Sequence, residues 1–181
     1  MSARIEDHAM LGNCRSAALV DHRGTLDWLC LPRFDSDAVF AALLGDEQHG
    51  QWSLAPEAAF ESRRAYEDDS LVLCTTLQTE TGTVEVTDFM VASQDPEPHQ
   101  HVVRLVRGVH GRVDMRMRLT LRFNYGRTVP WVTHLDDGIR AIAGPDQIAL
   151  RTPQALQGRG LATEARFTLD AGEQTWFLLS H

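Results

Sequence analysis

Apolar and polar side chains alternate strictly along residues 113–125, where every odd position is apolar or aromatic and every even position is polar. A period of two puts seven side chains on one face of a β-strand, whereas a helix repeats its apolar positions every three or four residues. At about 3.3 Å per residue this strand would run roughly 40 Å, which is long for a globular protein. The pattern predicts one long strand within a large two-layer sandwich.

Shorter apolar segments on either side of turn residues predict a series of hairpins. These segments are residues 17–20 with 25–31, 70–78 with 83–90, 131–135 with 139–143 and 147–151, and 161–169 with 175–179. One helix is predicted at residues 38–44, where Asp35 or Ser36 caps the start and Gly45 ends the last turn. Residues 1–181 are therefore expected to form one all-β domain, an antiparallel β-sandwich with one short helix.

Composition places the chain among folded, water-soluble domains, because 43% of its 181 residues are hydrophobic and 23% are charged. The formal net charge of -8 disfavours a nucleic-acid partner, which would require clustered cations. No apolar run approaches the length of a signal or membrane segment, so a cytoplasmic location without a membrane partner is expected. Three widely spaced cysteines fit reduced thiols better than disulfides or a zinc site.

Familiar catalytic and cofactor motifs do not occur in the sequence, which has no phosphate-binding glycine loop, nucleophile elbow, HExxH or CxxC. His99 and His101 would face the same side of a strand, but two ligands without a third do not make a metal site. No metal, cofactor or catalytic residue is therefore predicted. Arg116, Arg118 and Arg122 share the polar face of the long strand, where ion pairs with neighbouring strands are favoured over a polyanion site.

The segment that follows residue 26 is the most unusual in the chain, because a strongly apolar strand runs into a proline and then into LPRFDS. Trp28 and Phe34 can stack on a sugar or a partner surface, while Arg33 and Asp35 offer directional hydrogen bonds. A structural interpretation is equally open, in which the two rings belong to the core and Arg33 pairs internally with an aspartate.

Several separate segments resemble one known family. They are IEDHAMLGN at residues 5–13, AALV at 17–20, GTLDWLCLPRFDS at 24–36, FAALLG at 40–45, the strand ending in DFM at 88–90, and RFNYG at 122–126 followed by PW at 130–131. In order and spacing they resemble the start of bacterial family 15 glycoside hydrolases, the glucoamylase and trehalase-like group. The resemblance covers nearly the whole chain.

This resemblance implies an amino-terminal β-supersandwich that a linker joins to an (α/α)6 barrel. The barrel of that family carries both catalytic glutamates for inverting hydrolysis of an α-glucosidic bond, so this chain alone is expected to be inactive. Its implied partners are the carboxy-terminal catalytic barrel of the same polypeptide and, in the whole enzyme, an α-glucoside. The residues expected at the domain interface or substrate rim are Trp28, Arg33, Phe34 and Asp35, together with Arg122, Tyr125 and Trp131.

Four positions depart from the family pattern. His8 stands where tyrosine is usual, Asn13 and Asn124 stand where aspartate is common, and Leu121 stands where proline is frequent. Loss of charge at two positions means that any ion pairs they make in relatives are replaced here. A free-standing module that binds α-glucan through exposed aromatic rings stays open as an alternative function, as does a homo-oligomer formed through an uncovered apolar patch.

Overall fold

The computed structural model describes residues 4–93 and 99–181, and every strand pair in them is antiparallel. The strands are β1 Ala9–Gly12, β2 Ala17–Val20, β3 Thr25–Cys30, β4 Ala38–Phe40, β5 Gln51–Pro56, β6 Glu61–Tyr66, β7 Leu73–Gln78, β8 Gly82–Met90, β9 His101–Thr120, β10 Trp131–Leu135, β11 Gly138–Ala143, β12 Asp146–Arg151, β13 Gln157–Arg159, β14 Ala162–Asp170 and β15 Gln174–Ser180. The helical segments are 3₁₀ turns at Ile5–Asp7, Ala42–Leu44 and Glu47–His49. The all-β prediction is confirmed.

Strand β9 belongs to two sheets. Its first half pairs with β8 and β15 in a sheet ordered β6-β7-β8-β9-β15-β12-β11-β10, which we call the first sheet. Its second half pairs with β5 and β14 in the second sheet, ordered β1-β2-β3-β5-β9-β14-β13, with β4 added to β3. The consecutive strands β14 and β15 make the same transition, because they pair with different halves of β9.

Two glycines allow the transition between the sheets. Gly111 has a φ of +64°, and a Cβ atom there would lie 2.2 Å from the carbonyl oxygen of Thr81. Gly108 passes equally close to the carbonyl oxygen of Asp170. A side chain at either position would collide with the neighbouring strand, so the backbone can bend here only as glycine.

One apolar core draws on both sheets. Its largest fully buried apolar side chains include Trp52, Phe40, Phe177, Met115 and Met117. The odd positions of β9 from residue 113 onward face inward, as their alternation predicts. Each such side chain contributes about 1.5–3 kcal/mol when buried.

The long predicted strand differs from the observed one at both ends. β9 begins at His101 and ends at Thr120, although Leu121 and Phe123 remain buried beyond its end. Tyr125 was predicted to share their face but is exposed, because the backbone turns there through a positive φ of 55°. Arg122, expected on the polar face, is buried.

The predicted helix at residues 38–44 is wrong. Ala38–Phe40 forms β4 against β3, with all three residues buried, and only Ala42–Leu44 makes a short 3₁₀ turn. A helix would expose one side of this apolar segment, whereas a strand between other elements buries both. The predicted hairpins β2–β3, β7–β8 and β10–β11–β12 are confirmed. Strands β14 and β15 also form on either side of their predicted turn, but they pair with different halves of β9 and not with each other, so no hairpin forms there.

Residues 4–93 and 99–181 contain neither a membrane-spanning helix nor a cluster of metal-binding side chains. Within those ranges no helix is long and apolar enough to cross a membrane. The same residues contain no group of three or more histidine, cysteine or acidic side chains arranged to hold a metal ion. The ring centroids of His99 and His101 lie 6.5 Å apart. Nδ1 of His99 forms a hydrogen bond with the carbonyl oxygen of His181, and Nδ1 of His101 forms one with the hydroxyl of Ser180 at the end of β15.

Candidate functional site

The loop between β3 and β4 has a defined shape. The amide of Phe34 donates to the carbonyl oxygen of Arg15 at 2.9 Å, which ties the loop to the β1–β2 turn. A tight turn follows, in which the amide of Ser36 donates to the carbonyl oxygen of Arg33 at 3.1 Å. The Ser36 hydroxyl accepts from the Arg33 amide at the same distance. These bonds hold the Phe34 side chain outward, with 60% of the residue exposed.

Trp28 and Tyr125 are neighbours, with ring centroids 6.2 Å apart and ring planes inclined by 42°. The Tyr125 amide donates to the carbonyl oxygen of Ala38 at 3.1 Å, which places the turn after β9 beside β4. Trp28 is half-buried and packs on a small cluster of Cys30, Ala38 and Ala41. Part of its ring therefore serves the core, and the outer part forms a surface with Tyr125.

Arg33 and Asp35 form a bidentate ion pair on the surface. Nε of Arg33 donates to Oδ1 of Asp35 at 2.8 Å, and Nη2 donates to Oδ2 at 2.5 Å. The hydrogen bonds raise the pKa of Arg33 and lower the pKa of Asp35. The internal pair considered from the sequence is thus present, while Phe34 between the two is exposed rather than part of the core.

Arg122 and Trp131 meet at a second feature, an open cleft of about 290 Å³ beyond the end of β9. We call it the Arg122 cleft. Its apolar walls come from Leu119, Val129, Pro130, Trp131, Val132, Leu161 and Ala162. Trp131 is 75% exposed and Leu161 is 65% exposed, so two large apolar side chains at the rim are in contact with solvent.

Arg122 lines this cleft, and one side of its guanidinium is fixed by the protein. Only 6% of the residue is exposed, and its Nη1 donates to the carbonyl oxygens of Leu121 at 2.6 Å and Leu161 at 3.3 Å. Burial lowers the pKa of this guanidinium. The backbone amide of Arg122 donates to the carbonyl oxygen of Val39, so the same segment that supports Tyr125 also positions Arg122.

The other two arginines of the long strand bind a carboxylate, as predicted. Nη2 of Arg116 and Nη1 of Arg118 donate to the same oxygen of Glu164 at 2.7 and 2.9 Å. Glu164 lies directly opposite Arg118 on β14 and is buried. Its pKa is lowered, because the two arginines outweigh the burial that acts to raise it.

A polar pocket of about 570 Å³ lies on another part of the surface, between the turn at Asp21 and the 3₁₀ turn Glu47–His49. Asp27 lines it and bonds through Oδ2 to Nε2 of His8 at 2.9 Å. Asp27 is one of 25 acidic residues in the chain, and its sequence neighbourhood does not distinguish it from the others. Its burial and its pairing with His8 depend on the fold, so no local sequence pattern indicates them.

Sequence reasoning also missed the apolar rim around Trp131. Val129, Val132 and Leu161 are all at least 44% exposed and line the same cleft. The available signal was Leu161 itself, a large apolar residue directly after Gly158, Arg159 and Gly160. Apolar residues grouped at an edge mark an interaction surface more often than isolated ones do.

Comparison with known proteins identifies relatives over the whole β-structure. A family model described as trehalase-like, N-terminal matches residues 1–175. A trehalase of Mycolicibacterium smegmatis is 30% identical over 97% of this chain, and one of Mycobacterium tuberculosis is equally similar. Trehalase 1 of Sulfolobus acidocaldarius is 34% identical over 72% of the chain.

These relatives are much longer than the matched region. The aligned part covers 30% of the Mycolicibacterium smegmatis protein and 22% of the Sulfolobus acidocaldarius protein. The chain thus spans less than a third of the length of the curated relatives it matches.

Proposed function

Since the chain belongs to the trehalase-like N-terminal family, we propose that it is the non-catalytic β-sandwich of a family 15 glycoside hydrolase that cleaves an α-glucosidic bond with inversion. It supports a catalytic helical barrel in the same polypeptide. One observation carries this proposal: the family match covers residues 1–175, while proteins named trehalase continue for more than twice that length.

An uncovered apolar surface supports a role in domain packing. Phe34 in the β3–β4 loop, and Trp131 and Leu161 at the Arg122 cleft, each expose more than half of their surface. Grouped apolar side chains of this size are costly in water and favour burial against a partner. A helical barrel in the same polypeptide is held at high effective concentration, so even a weak intrinsic affinity between the two domains keeps them together.

Hydrolysis of trehalose and of maltooligosaccharides tests the proposal directly. The assay compares this chain, the complete polypeptide encoded by its gene, and that polypeptide with residues 1–181 deleted. We expect hydrolysis from the complete polypeptide alone, because the acid and base carboxylates lie in the barrel and the barrel needs the sandwich. Hydrolysis by this chain, or a deletion variant with unchanged rate and thermal stability, contradicts the proposal.

The β3–β4 loop is proposed to lie at the interface and to reach the substrate rim. Alanine at Phe34 or at Arg33 in the complete polypeptide should raise KM or lower thermal stability, whereas alanine at the exposed Arg63 of β6 should change neither. Unchanged stability, KM and kcat in both loop variants would exclude this role. Saturable heat on titrating this chain with maltooligosaccharide would instead indicate an α-glucan-binding module.

We also propose a cytoplasmic location. Cys14, Cys30 and Cys74 are all unpaired, and Cys14 is exposed. An exposed thiol persists most readily in a reducing compartment. Fractionation of the producing cells, followed by detection of the protein, tests this; recovery from the medium would refute it.

A further inference from the structure

One edge of the Arg122 guanidinium is fixed by the protein and the other is not. Nη1 is held by the carbonyl oxygens of Leu121 and Leu161. Nε and Nη2, which carry the other three N–H groups, have no acceptor among residues 4–93 and 99–181. The Nε–Nη2 edge is one that a carboxylate can occupy with two parallel hydrogen bonds.

This open edge is reachable. Nε atoms of Arg116, Arg118 and Arg140 are sealed from solvent without a partner, but no nitrogen of Arg122 is among such sealed atoms. Arg122 lines the 290 Å³ cleft, and we infer that its unsealed Nε–Nη2 edge is reached through that space. An incoming group can therefore meet it without rearrangement of the core.

The cleft contains no negative charge to balance the guanidinium. Its titratable lining residues are Arg122 and His134, and no carboxylate lies within 4.0 Å of Arg122 in the described part of the chain. Glu164, on the neighbouring strand, forms ion pairs with Arg116, Arg118 and, at 3.8 Å, Arg159, and not with Arg122. A buried cation without a counter-charge carries a desolvation cost that a carboxylate relieves.

The walls add a second requirement, because they are apolar. Val129, Trp131 and Leu161 line the same cleft as Arg122, and a partner that covered them would exclude water and strengthen an ion pair formed there. One guanidinium offers a fork for one carboxylate, whereas a polyanion requires several cations. The cleft is thus complementary to a single carboxylate that is attached to an apolar surface.

We propose that the Arg122 cleft receives an acidic side chain, flanked by apolar residues, from the catalytic part of the same polypeptide. This inference rests on the proposed function and gives it a specific contact. The net charge of -8 disfavours a second copy of the chain as the occupant, because two copies repel each other.

Side-chain NMR of arginine Nε–H groups tests the chemistry on this chain. Phenylacetate serves as the probe, and phenylacetamide, which has the same shape without the charge, is its control. We expect phenylacetate to shift the Arg122 signal saturably, with a Kd on the order of 1–10 mM, and phenylacetamide to leave it unmoved. Equal shifts from both compounds, or none from either, would overturn the proposal.

Variants separate the cleft from general surface effects. Arg122→Gln should weaken phenylacetate binding at least tenfold, while Arg127→Gln, at an exposed position on the same turn, should change it less than twofold. Trp131→Ala changes an exposed side chain that folding does not need, and it should weaken binding about threefold by removing one wall. Full binding by both Arg122→Gln and Trp131→Ala refutes the site.

The complete polypeptide identifies the occupant. There the Arg122 Nε–H signal should already stand at its shifted position, and phenylacetate should no longer move it. If that polypeptide hydrolyses α-glucosides but phenylacetate still binds Arg122, this inference is wrong and the proposed function stands. If it hydrolyses none, the proposed function is wrong. The Arg122 Nε–H signal of this chain could instead shift as the protein concentration rises, without phenylacetate. If the measured molecular mass then doubled as well, the occupant would be a second copy of the chain and the proposed occupant would be wrong.

Discussion

The guanidinium of Arg104 lies 5.2 Å from the ring centroid of Trp52, inside the core and inaccessible to solvent. It binds both carboxylate oxygens of Asp88 at 2.8 and 3.1 Å, and it donates to the carbonyl oxygens of Trp52 and Gly24. Asp88 belongs to the first sheet, whereas Trp52 lies in the second and Gly24 directly precedes one of its strands. One side chain therefore ties the two sheets together.

Replacing Arg104 by methionine should lower the free energy of unfolding by about 3–5 kcal/mol, because it leaves the Asp88 charge buried without a partner. Urea denaturation measures the change. Arg107→Met is the control: it breaks the exposed pair with Glu85 on the same strands and should cost about 0–1 kcal/mol. Equal losses in the two variants would mean that the buried pair has no special role.

The pair of His8 and Asp27 should make stability depend on pH. Burial raises the pKa of Asp27 more than His8 lowers it. Burial acts to lower the pKa of His8, but the bond to Asp27, its charge and the Arg4 carbonyl outweigh this and leave the pKa raised. The folded protein thus binds protons more tightly than the unfolded chain, so stability falls as pH rises through the raised values.

For His8 the decline starts near pH 6.5, the ordinary pKa of histidine, and continues above it. His8→Gln should flatten the decrease in unfolding free energy on this alkaline side. His22→Gln, in the exposed β2–β3 turn, should keep the wild-type slope. Chemical denaturation at several pH values gives both slopes, and a steeper decline in His8→Gln would reverse the assigned sign.

Glu164 should show the opposite pH dependence. Its pKa is lowered by Arg116 and Arg118 despite its burial, so its contribution is present above the ordinary pKa of glutamate and is lost as pH falls. Glu164→Gln should therefore lose less stability between pH 7 and pH 3 than the wild type does. Glu57→Gln, which removes a more exposed partner of Arg166, should follow the wild type. Thermal unfolding at the two pH values compares them.

The position of Asn13 requires a side-chain amide, because the group both donates and accepts hydrogen bonds. Its Nδ2 donates to the carbonyl oxygen of Val91 at 3.0 Å and to Oε1 of Gln100 at 2.7 Å, while Oδ1 accepts from the amides of Arg15 and Ser16. Asn13→Asp should cost about 1–3 kcal/mol, because a carboxylate would face two acceptors. Asn124→Asp, at an exposed turn, should stay within about 0.5 kcal/mol. If urea denaturation gave Asn13→Asp the same free energy of unfolding as the wild type, the hydrogen-bond network would not require an amide at this position.

Much of the fold follows from alternation in the sequence, which located the strands of the confirmed hairpins, the strands β14 and β15, and the inward face of β9. Alternation does not predict a strand when both of its faces are buried. Val39 and Phe40 form a strand enclosed on both faces, and a short apolar run of this kind does not differ in pattern from a helix. The early part of β9 was predicted only as a strand start near His99 and His101, because Arg104 occupies an inward position between Val102 and Val106 and interrupts the apolar pattern.

The candidate site was predictable in residue type but not in arrangement. Exposure of Phe34 and Trp131 agrees with the unusual composition of their segments. Burial of Arg122 was not predictable, because it depends on the carbonyl of Leu161, which lies 39 positions away. Its assigned place on the polar face assumed that β9 continues to Tyr125, whereas regular pairing stops at Thr120.

A strand that serves two sheets also determines how the domain opens. β9 runs without interruption from its pairing in the first sheet into its pairing in the second, so disorder in either half frees one end of the strand that the other sheet needs, and we expect the two sheets to unfold together. Amide hydrogens along the middle of β9 should then exchange only through global unfolding, and a protease should find no stable fragment built on one sheet. A catalytic partner that bound one end of this strand would therefore protect both sheets against unfolding.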